Sequence, residues 1–365
     1  MILKELTLVN FKNYKEEKFR FKHRLITISG DNGMGKTNAL DAIYFLAMGK
    51  SYFVGSDRNL IHTDQEFFRV DARLEEGDEK FHLVIKNRQG QGKEIELNGV
   101  RIARLADHIG LVPVVFITPD DVHTLLSGNE ERRVFINNTL VQLNPQYLDA
   151  LAIYNRNLKQ RNALLKDFWD KQYWDQDLLD VITDAMSAPA HFIHGVRTSL
   201  INQFNPVLQE YYQHISQGRE TVSLIYSSQL DGNNFKDLSI KNGQKDKITQ
   251  RTSVGIHKDE INFFMNNRPL KDFASQGQLK SFIFGLKLSQ YAYLKAQTHK
   301  EPILLLDDVF DKLDQGRVER LLSLMGDTNF GQIFITDTHI GRTAQLINGE
   351  EIADHFTIAG GKITN

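Results

Sequence analysis

Cysteine is absent from the chain, which excludes disulfides and thiolate metal sites and suits a reducing cytosol. Proline is scarce, with 7 in 365 residues, and no biased tract interrupts the sequence. The composition is that of an ordinary globular protein. No apolar run approaches the ~18–20 residues of a membrane span, so no membrane partner is expected. Met1-Ile2-Leu3-Lys4-Glu5-Leu6 alternates like a strand and shows no signal-peptide pattern. An excess of one charge is also missing. The net charge is −2, so any surface for nucleic acid must be a local patch. Internal repeats and sustained heptads are lacking too. At 365 residues the chain is long for one compact domain, and two lobes are expected.

What is present begins with Leu25-Ile26-Thr27-Ile28-Ser29, a β-branched apolar run, leading into Gly30-Asp31-Asn32-Gly33-Met34-Gly35-Lys36-Thr37. The second segment matches G-x-x-x-x-G-K-[ST], the phosphate-binding loop. Glycines let the backbone curl so that amide N–H groups point at phosphate oxygens. Lys36 is placed to reach the β- and γ-phosphates, and the Thr37 hydroxyl to ligate Mg²⁺. Asn38 and the apolar residues after it keep helical spacing, so the loop sits on a helix N-terminus that favours anions. The chain is expected to bind a nucleoside triphosphate with Mg²⁺.

Residues 2–9 and 17–29 read as strands around an Asn10–Tyr14 turn, and 67–75, 80–87 and 93–98 as antiparallel strands. Val112–Thr118 is a further buried strand. Helical spacing then dominates residues 121–220, with a break at Pro189. Strands resume at Val222–Ser227 and Thr252–Ile256, with a hairpin at Asn266-Asn267. The asparagine- and glycine-rich segments 232–234 and 241–245 read as mobile loops. A helix follows Ser275-Gln276-Gly277-Gln278. Pro302–Asp308 and Gln332–His339 are apolar strands with polar ends. The expected organisation is a discontinuous α/β domain, residues 1–120 and 221–365 around a largely parallel core sheet, with an inserted helical lobe at 121–220.

Ligands in open α/β sheets sit at the carboxyl ends of strands, where Asp307-Asp308 falls. Asp307 would hold Mg²⁺ opposite Thr37, and Asp308 would orient or deprotonate the attacking water. Two acids capping a buried strand is the plainer alternative, weakened by the phosphate loop. Ser275-Gln276-Gly277-Gln278 exposes a helix start to which a phosphate can dock, although Ser-x-Gly is also a common capping turn.

This order of parts resembles ATPases of the ABC type, and implies an α/β P-loop head with a mixed sheet plus an inserted, mainly helical lobe. In that class Ser275, Gly277 and Gln278 would contact the γ-phosphate bound to a second subunit, giving an ATP-dependent homodimer. Asp311 and Asp314 are similar to the D-loop of such dimers. His339 stands where a γ-phosphate sensor is expected, with Thr336 and Thr338 as rivals. No counterpart of the Q-loop glutamine is found between Val112 and Asp121.

Within that class the chain resembles the RecF family of bacterial recombination proteins. The resemblance is carried by Gly30–Asn38, Ala47–Ser51, Arg132–Phe135, Tyr154–Asn162, Thr252–Glu260, Ala274–Gln278 and Leu304–Phe310. It departs at Asn137, Ile256 and Leu279, where aspartate, proline and glutamine are usual. The resemblance implies an ATP-dependent DNA-binding protein of replication, recombination and gap repair. Such a protein acts with RecO and RecR to help RecA displace single-strand-binding protein at junctions of single- and double-stranded DNA. A cytoplasmic location is expected, and slow hydrolysis as well, the latter because Asp308 is one methylene shorter than the glutamate common at its position. Arg132, Arg133, Arg156, Lys159 and Arg161 are candidate DNA contacts, with Lys12 and Lys15 in the first turn. Each reads equally as an ordinary solvated charge. The role of His257-Lys258-Asp259-Glu260 does not follow from the sequence.

Other classes share parts of this pattern. An SMC-like chromosome-structuring ATPase would need long heptad arms, and a transporter ATPase the fuller LSGGQ-type signature. A small-molecule kinase would need neither Ser275–Gln278 nor a dimer.

Overall fold

The protein's structure, a computed structural model, describes residues 1–216, 218, 220–309, 316, 320, 330–337 and 353–364. The chain forms two compact units. Met1–Val122, Glu210–Gly218 and Gln276–Asn365 make up the first, His123–Gln209 and Arg219–Ser275 the second. The second unit therefore takes residues 219–275 as well as the helical stretch, whereas the sequence suggested a return to the α/β domain at 221.

In chain order, the first unit opens with β1 (Ile2–Phe11), β2 (Tyr14–Arg20), β3 (Leu25–Ser29) and α1 (Lys36–Met48). β4 (Phe67–Glu76), β5 (Glu79–Arg88), β6 (Gly92–Leu97), β7 (Val100–Arg101) and β8 (Val114–Ile117) follow. The expected strand over 17–29 is two strands in two sheets. Residues between them turn away because the Lys22 and His23 amides both donate to the Asp354 carboxylate, at 2.6 and 2.9 Å.

Next come α2 (Asp121–Ser127), α3 (Asn129–Leu140), α4 (Pro145–Lys171) and α5 (Gln176–Ser216). They are followed by β9 (Val222–Ser227), α6 (Phe235–Lys241), α7 (Gly243–Thr249), β10 (Glu260–Met265), β11 (Arg268–Pro269) and α8 (Leu270–Phe273). The first unit then resumes with α9 (Gln276–Thr298), β12 (Ile303–Leu306), β13 (Ile333–Asp337), β14 (Ala353–Ala359) and β15 (Lys362–Ile363).

Among the described residues the first unit holds an antiparallel sheet in the order β2-β1-β4-β5-β6-β7 and a core sheet in the order β15-β14-β3-β13-β12-β8. In the core sheet β14, β3, β13, β12 and β8 run parallel, and only β15 is antiparallel. Parallel strands need covering on both faces. Accordingly β12 and β8 are buried at every position and α1 is buried from Ala39 to Met48. No described helix is long and apolar enough to cross a membrane.

The second unit corrects three expectations. α5 runs through both Pro189 and Pro206, although each proline removes one intrahelical hydrogen bond. The segment 232–234 is the expected turn, leading into α6, whereas 241–245, read as a loop, belongs to the end of α6 and the start of α7. Asn234 caps α6 by accepting from the Lys236 amide at 2.8 Å; asparagine signals a turn and a helix start alike. Residues 252–256 form no strand. Their polar groups go to side chains instead: Thr252 to Asn162 at 2.8 Å and Ser253 to Asp246 at 2.9 Å.

The same unit shows how a short sheet is finished. In the order β11-β10-β9, β9 is an edge. Asn205 and Gln209, one turn apart on α5, cover it as a strand would. Asn205 donates to the Leu224 carbonyl at 3.0 Å and accepts from its amide at 2.7 Å, and Gln209 accepts from the Val222 amide at 2.6 Å. Beneath lies the role of the His257–Glu260 segment. Asp259, 1% exposed, pairs with the buried Arg197 at 2.6 Å and accepts from the Ser228 hydroxyl at 2.6 Å. Arg197 also donates to the Ile256 carbonyl at 2.8 Å and to Asn137 at 3.0 Å. Removing Arg197 would leave a buried carboxylate without its cation, a cost of about 3–5 kcal/mol.

His257 is held neutral. Its Nε2 lies 3.0 Å from the Thr252 carbonyl, which can only accept, so Nε2 carries the proton. Nδ1 then accepts from the Tyr154 hydroxyl at 2.8 Å. Burial lowers the His257 pKa from 6.5 to about 4. The unfolded chain therefore takes up this proton at a higher pH than the folded one, and stability is lost as pH falls through that window. We predict that the urea midpoint of the wild type falls between pH 6.5 and 4 more steeply than that of His257→Gln, which keeps both hydrogen bonds without titrating. Equal slopes would contradict the assignment.

Candidate nucleotide site

The parallel strands deliver their carboxyl ends to one place. β3 ends at Ser29 and continues into the glycine loop, which closes on α1 with Gly35 as N-cap at φ 118°. Two glycines there are required by space as well as by conformation. A Cβ on Gly30 would stand 2.3 Å from the Ile358 carbonyl oxygen, and one on Gly35 would stand 2.5 Å from the Asn13 amide nitrogen. The loop is braced from outside as well. Asn13 donates to the Met34 carbonyl at 2.9 Å and accepts from Asn38 at 2.8 Å. The Tyr14 hydroxyl donates to the Gly35 carbonyl at 2.9 Å, and the Gly361 amide to the Met34 carbonyl at 3.0 Å. Lys36, 4% exposed, lies along the loop, its Nζ donating to the Gly30 carbonyl at 2.7 Å and to that of Asp31 at 3.2 Å.

Asp307 follows β12 directly, and its amide donates to the Ile117 carbonyl at the end of β8 at 3.0 Å. The Thr37 hydroxyl stands 2.9 and 3.0 Å from its two carboxylate oxygens, and the Thr336 hydroxyl of β13 donates to Oδ1 at 2.7 Å. Burial raises the Asp307 pKa; the Thr336 and Thr37 hydroxyls and the Lys36 and Lys12 charges oppose the shift. A buried carboxylate beside a threonine hydroxyl is a hard-oxygen pair suited to Mg²⁺, which takes one or two carboxylates and completes its shell with phosphate and water. Thr37 and Asp307 would hold that ion.

Asp308 is half-buried and sits at φ 44°, a left-handed conformation uncommon for a non-glycine residue. Its amide donates to the Thr336 hydroxyl at 2.9 Å. That hydroxyl is therefore committed to both acids. Thr336, weighed from sequence as a phosphate sensor, is a positioning residue of the acidic pair.

Ser275 is exposed immediately before α9, and Gly277 and Gln278 are half-buried in its first turn. Asp311, Asp314 and His339 lie outside the described residues. The candidate DNA cations separate into two groups. Arg156 and Lys159 are exposed one turn apart on α4. Arg132 is buried, donating to the Leu125 and Ile261 carbonyls at 2.9 and 2.8 Å. Arg161 is buried against Asp246 at 2.7 Å, and Arg133, half-buried, donates to the Asp259 carbonyl at 2.6 Å. Arg132 and Arg161 are thus corrected to structural residues, because their donors are taken up inside the unit. Lys12 is likewise held, 2.6 Å from the buried Asp41. Asn13, Tyr14 and Gly361 were missed: bracing of the loop across the sheet leaves no local signal.

The RecF/RecN/SMC N-terminal domain model matches residues 2–356. The chain is 40% identical over 347 residues to the DNA replication and repair protein RecF of Flavobacterium johnsoniae, covering 95% of this chain and 97% of that one. It is 39% identical to the RecF of Porphyromonas gingivalis (strain ATCC 33277), with both chains covered in full. A solved structure of the recombination mediator protein RecF with ATP, of the RecFOR pathway, superposes with a TM-score of 0.89 at 27% identity. It covers 100% of this chain and 97% of that one. An Smc head bound to the C-terminal winged-helix domain of ScpA shares the fold, with a TM-score of 0.58 at 15% identity and coverage of 100% and 97%.

Replacing Thr336 by Val should weaken Mg²⁺-dependent ATP binding about tenfold, the scale of one lost hydrogen bond to a charged group. Binding of ATP in EDTA should change little. Titration calorimetry with and without Mg²⁺ checks this. An equal loss in both conditions would show that Thr336 does not act through Asp307.

Proposed function

The chain belongs to the RecF family, within the RecF/RecN/SMC N-terminal domain class, and from that premise we propose that it is an ATP-gated DNA-binding recombination mediator. Its work is in replication and gap repair in the bacterial cytoplasm. It acts with RecO and RecR to promote RecA loading at junctions of single- and double-stranded DNA. The observation that carries the reading is the Thr37–Asp307–Thr336 cluster, a metal-ready acid set against the helix that carries the phosphate loop. The relatives' shared description as DNA replication and repair proteins, and a solved relative with ATP, support it.

The mechanism follows from where charge is offered. The loop amides and Lys36 bind the β- and γ-phosphates, and a Mg²⁺ held by Thr37 and Asp307 would supply electrophilic neutralisation of the phosphate oxygens. The exposed Ser275, with Gly277 and Gln278, serves the γ-phosphate of a partner protomer, so dimer affinity depends on whether that phosphate is present. Asp308 orients the attacking water. Hydrolysis is slow, is stimulated by DNA, and releases the clamp. Exposed Arg156 and Lys159 remain available for backbone phosphates.

Sedimentation velocity of wild type and Ser275→Arg, each with ATP, ADP and a gapped duplex, tests this reading. Wild-type dimers should form only with ATP, and the variant should stay monomeric while still binding nucleotide. A wild type that remains monomeric with ATP and DNA, or a variant that dimerises normally, would remove the clamp.

A further inference from the structure

The first unit buries a second polar cluster, centred on Lys287 of α9. That residue is 4% exposed and is the one charged residue among the helix's described buried positions. Its Nζ pairs at 2.9 Å with Asp121, the buried first residue of α2. It also donates to the Phe116 carbonyl of β8 at 2.8 Å and to the Tyr52 hydroxyl at 3.1 Å. The Tyr52 hydroxyl donates in turn to Asp121 at 2.5 Å, and the other Asp121 oxygen accepts from the Thr118 amide at 2.7 Å. Burial, with the Asp121 charge added, raises the Tyr52 pKa well above its usual 10, so the hydroxyl stays a donor.

Two contacts of this cluster lead back to the nucleotide site. Asp41 stands one turn beyond Thr37 on α1, and its carboxylate accepts from the Tyr52 amide and the Ser51 hydroxyl, each at 2.7 Å. Phe116 precedes Ile117, whose carbonyl holds the Asp307 amide. In the other direction the cluster leads along α9, where Gly277 lies about 15 Å from Lys287. A buried ion pair adds little stability that a well-packed apolar pair would not. Phe282, Ile283, Leu286 and Leu294 already bury α9, but apolar contacts have no direction. Hydrogen bonds do, and three of them from one ammonium fix a helix both along and around its axis.

We infer that Lys287 is a positioning residue for the two-protomer site: with Asp121 and Tyr52 it ties α9 to α1 and β8, so that Gly277 and Gln278 keep a fixed place relative to the protomer's own phosphate loop. The inference rests on the dimeric site proposed above and assigns the element that sets what one protomer offers its partner. Lys287 touches no nucleotide; it acts through the helix that carries Gly277 and Gln278.

The test uses the full chain in two variants. Lys287→Met combined with Asp121→Asn removes both charges, so no buried ion is left alone. Tyr52→Phe removes one oxygen and leaves the ion pair in place. Each variant should keep the wild-type urea midpoint and, in equilibrium dialysis at high dilution, the wild-type ATP affinity of the protomer. Sedimentation equilibrium with ATP should show the dimer of the double variant weakened about tenfold, the scale of one charge-assisted hydrogen bond, and that of Tyr52→Phe weakened in the same direction. Wild-type dimerisation by either variant would overturn the assignment. So would a joint loss of urea midpoint, ATP affinity and dimer, which would make the cluster merely structural. A wild type that stays monomeric with ATP would instead overturn the dimeric reading, and this inference with it.

Discussion

Everything chemical in this chain converges on the carboxylate of Asp307. It is 6% exposed and accepts hydroxyl protons from Thr37 on α1 and Thr336 on β13, while its own amide is tied to β8. A carboxylate so deep needs several donors or a cation, since burial alone favours its protonation. The hydroxyls supply the first and leave room for the second. Three separate stretches of sequence are thereby fixed in register at one strand end, and the phosphate loop is set beside them. The parallel sheet exists in the form it does because these carboxyl ends must coincide.

The glycine loop extends the same constraint outward. Its backbone does not hold itself alone: the Met34 carbonyl has no helix or sheet partner, and the Gly35 carbonyl has only the Ala39 amide of α1 at 3.0 Å. Asn13 and Gly361 take the first, and Tyr14 adds to the second. They come from the first turn and from the turn after β14, so both ends of the chain reinforce one loop. Backbone strain falls at Asp308, which adopts positive φ without being glycine, whereas Gly30 and Gly35 take theirs freely.

What the sequence disclosed was local. The phosphate loop, Asp307-Asp308, the helix after Ser275 and the buried strands all announce themselves through residue type at fixed spacing, and the structure places each at the expected element. What it concealed was long-range. Arg161 and Arg132 look like any helical cations until Asp246 and the Ile261 carbonyl arrive from distant segments to bury them. His257–Glu260 gave no role because the partners of Asp259 come from α5 and β9. The segment at 241–245 lies in α6 and α7 rather than in a loop, because asparagine serves turns and helix caps alike. Residues 252–256 were misread because an apolar, β-branched run was satisfied by side chains rather than by a neighbouring strand. Thr336 was visible as polar at a strand end, yet only its two hydrogen bonds separate a positioning residue from a sensor.

The central claim is that one working site draws on two protomers, and mixing two dead variants tests it most directly. Lys36→Ala disables the phosphate loop, and Ser275→Arg blocks the surface offered to a partner. In a mixed dimer, the intact loop of one protomer meets the intact Ser275 of the other. The account predicts that each variant alone is inactive and that an equimolar mixture recovers roughly a quarter of wild-type ATP turnover, because half the dimers are mixed and each has one complete site. A mixture as inactive as its components would contradict it, and so would a Ser275→Arg protein that hydrolyses ATP unaided.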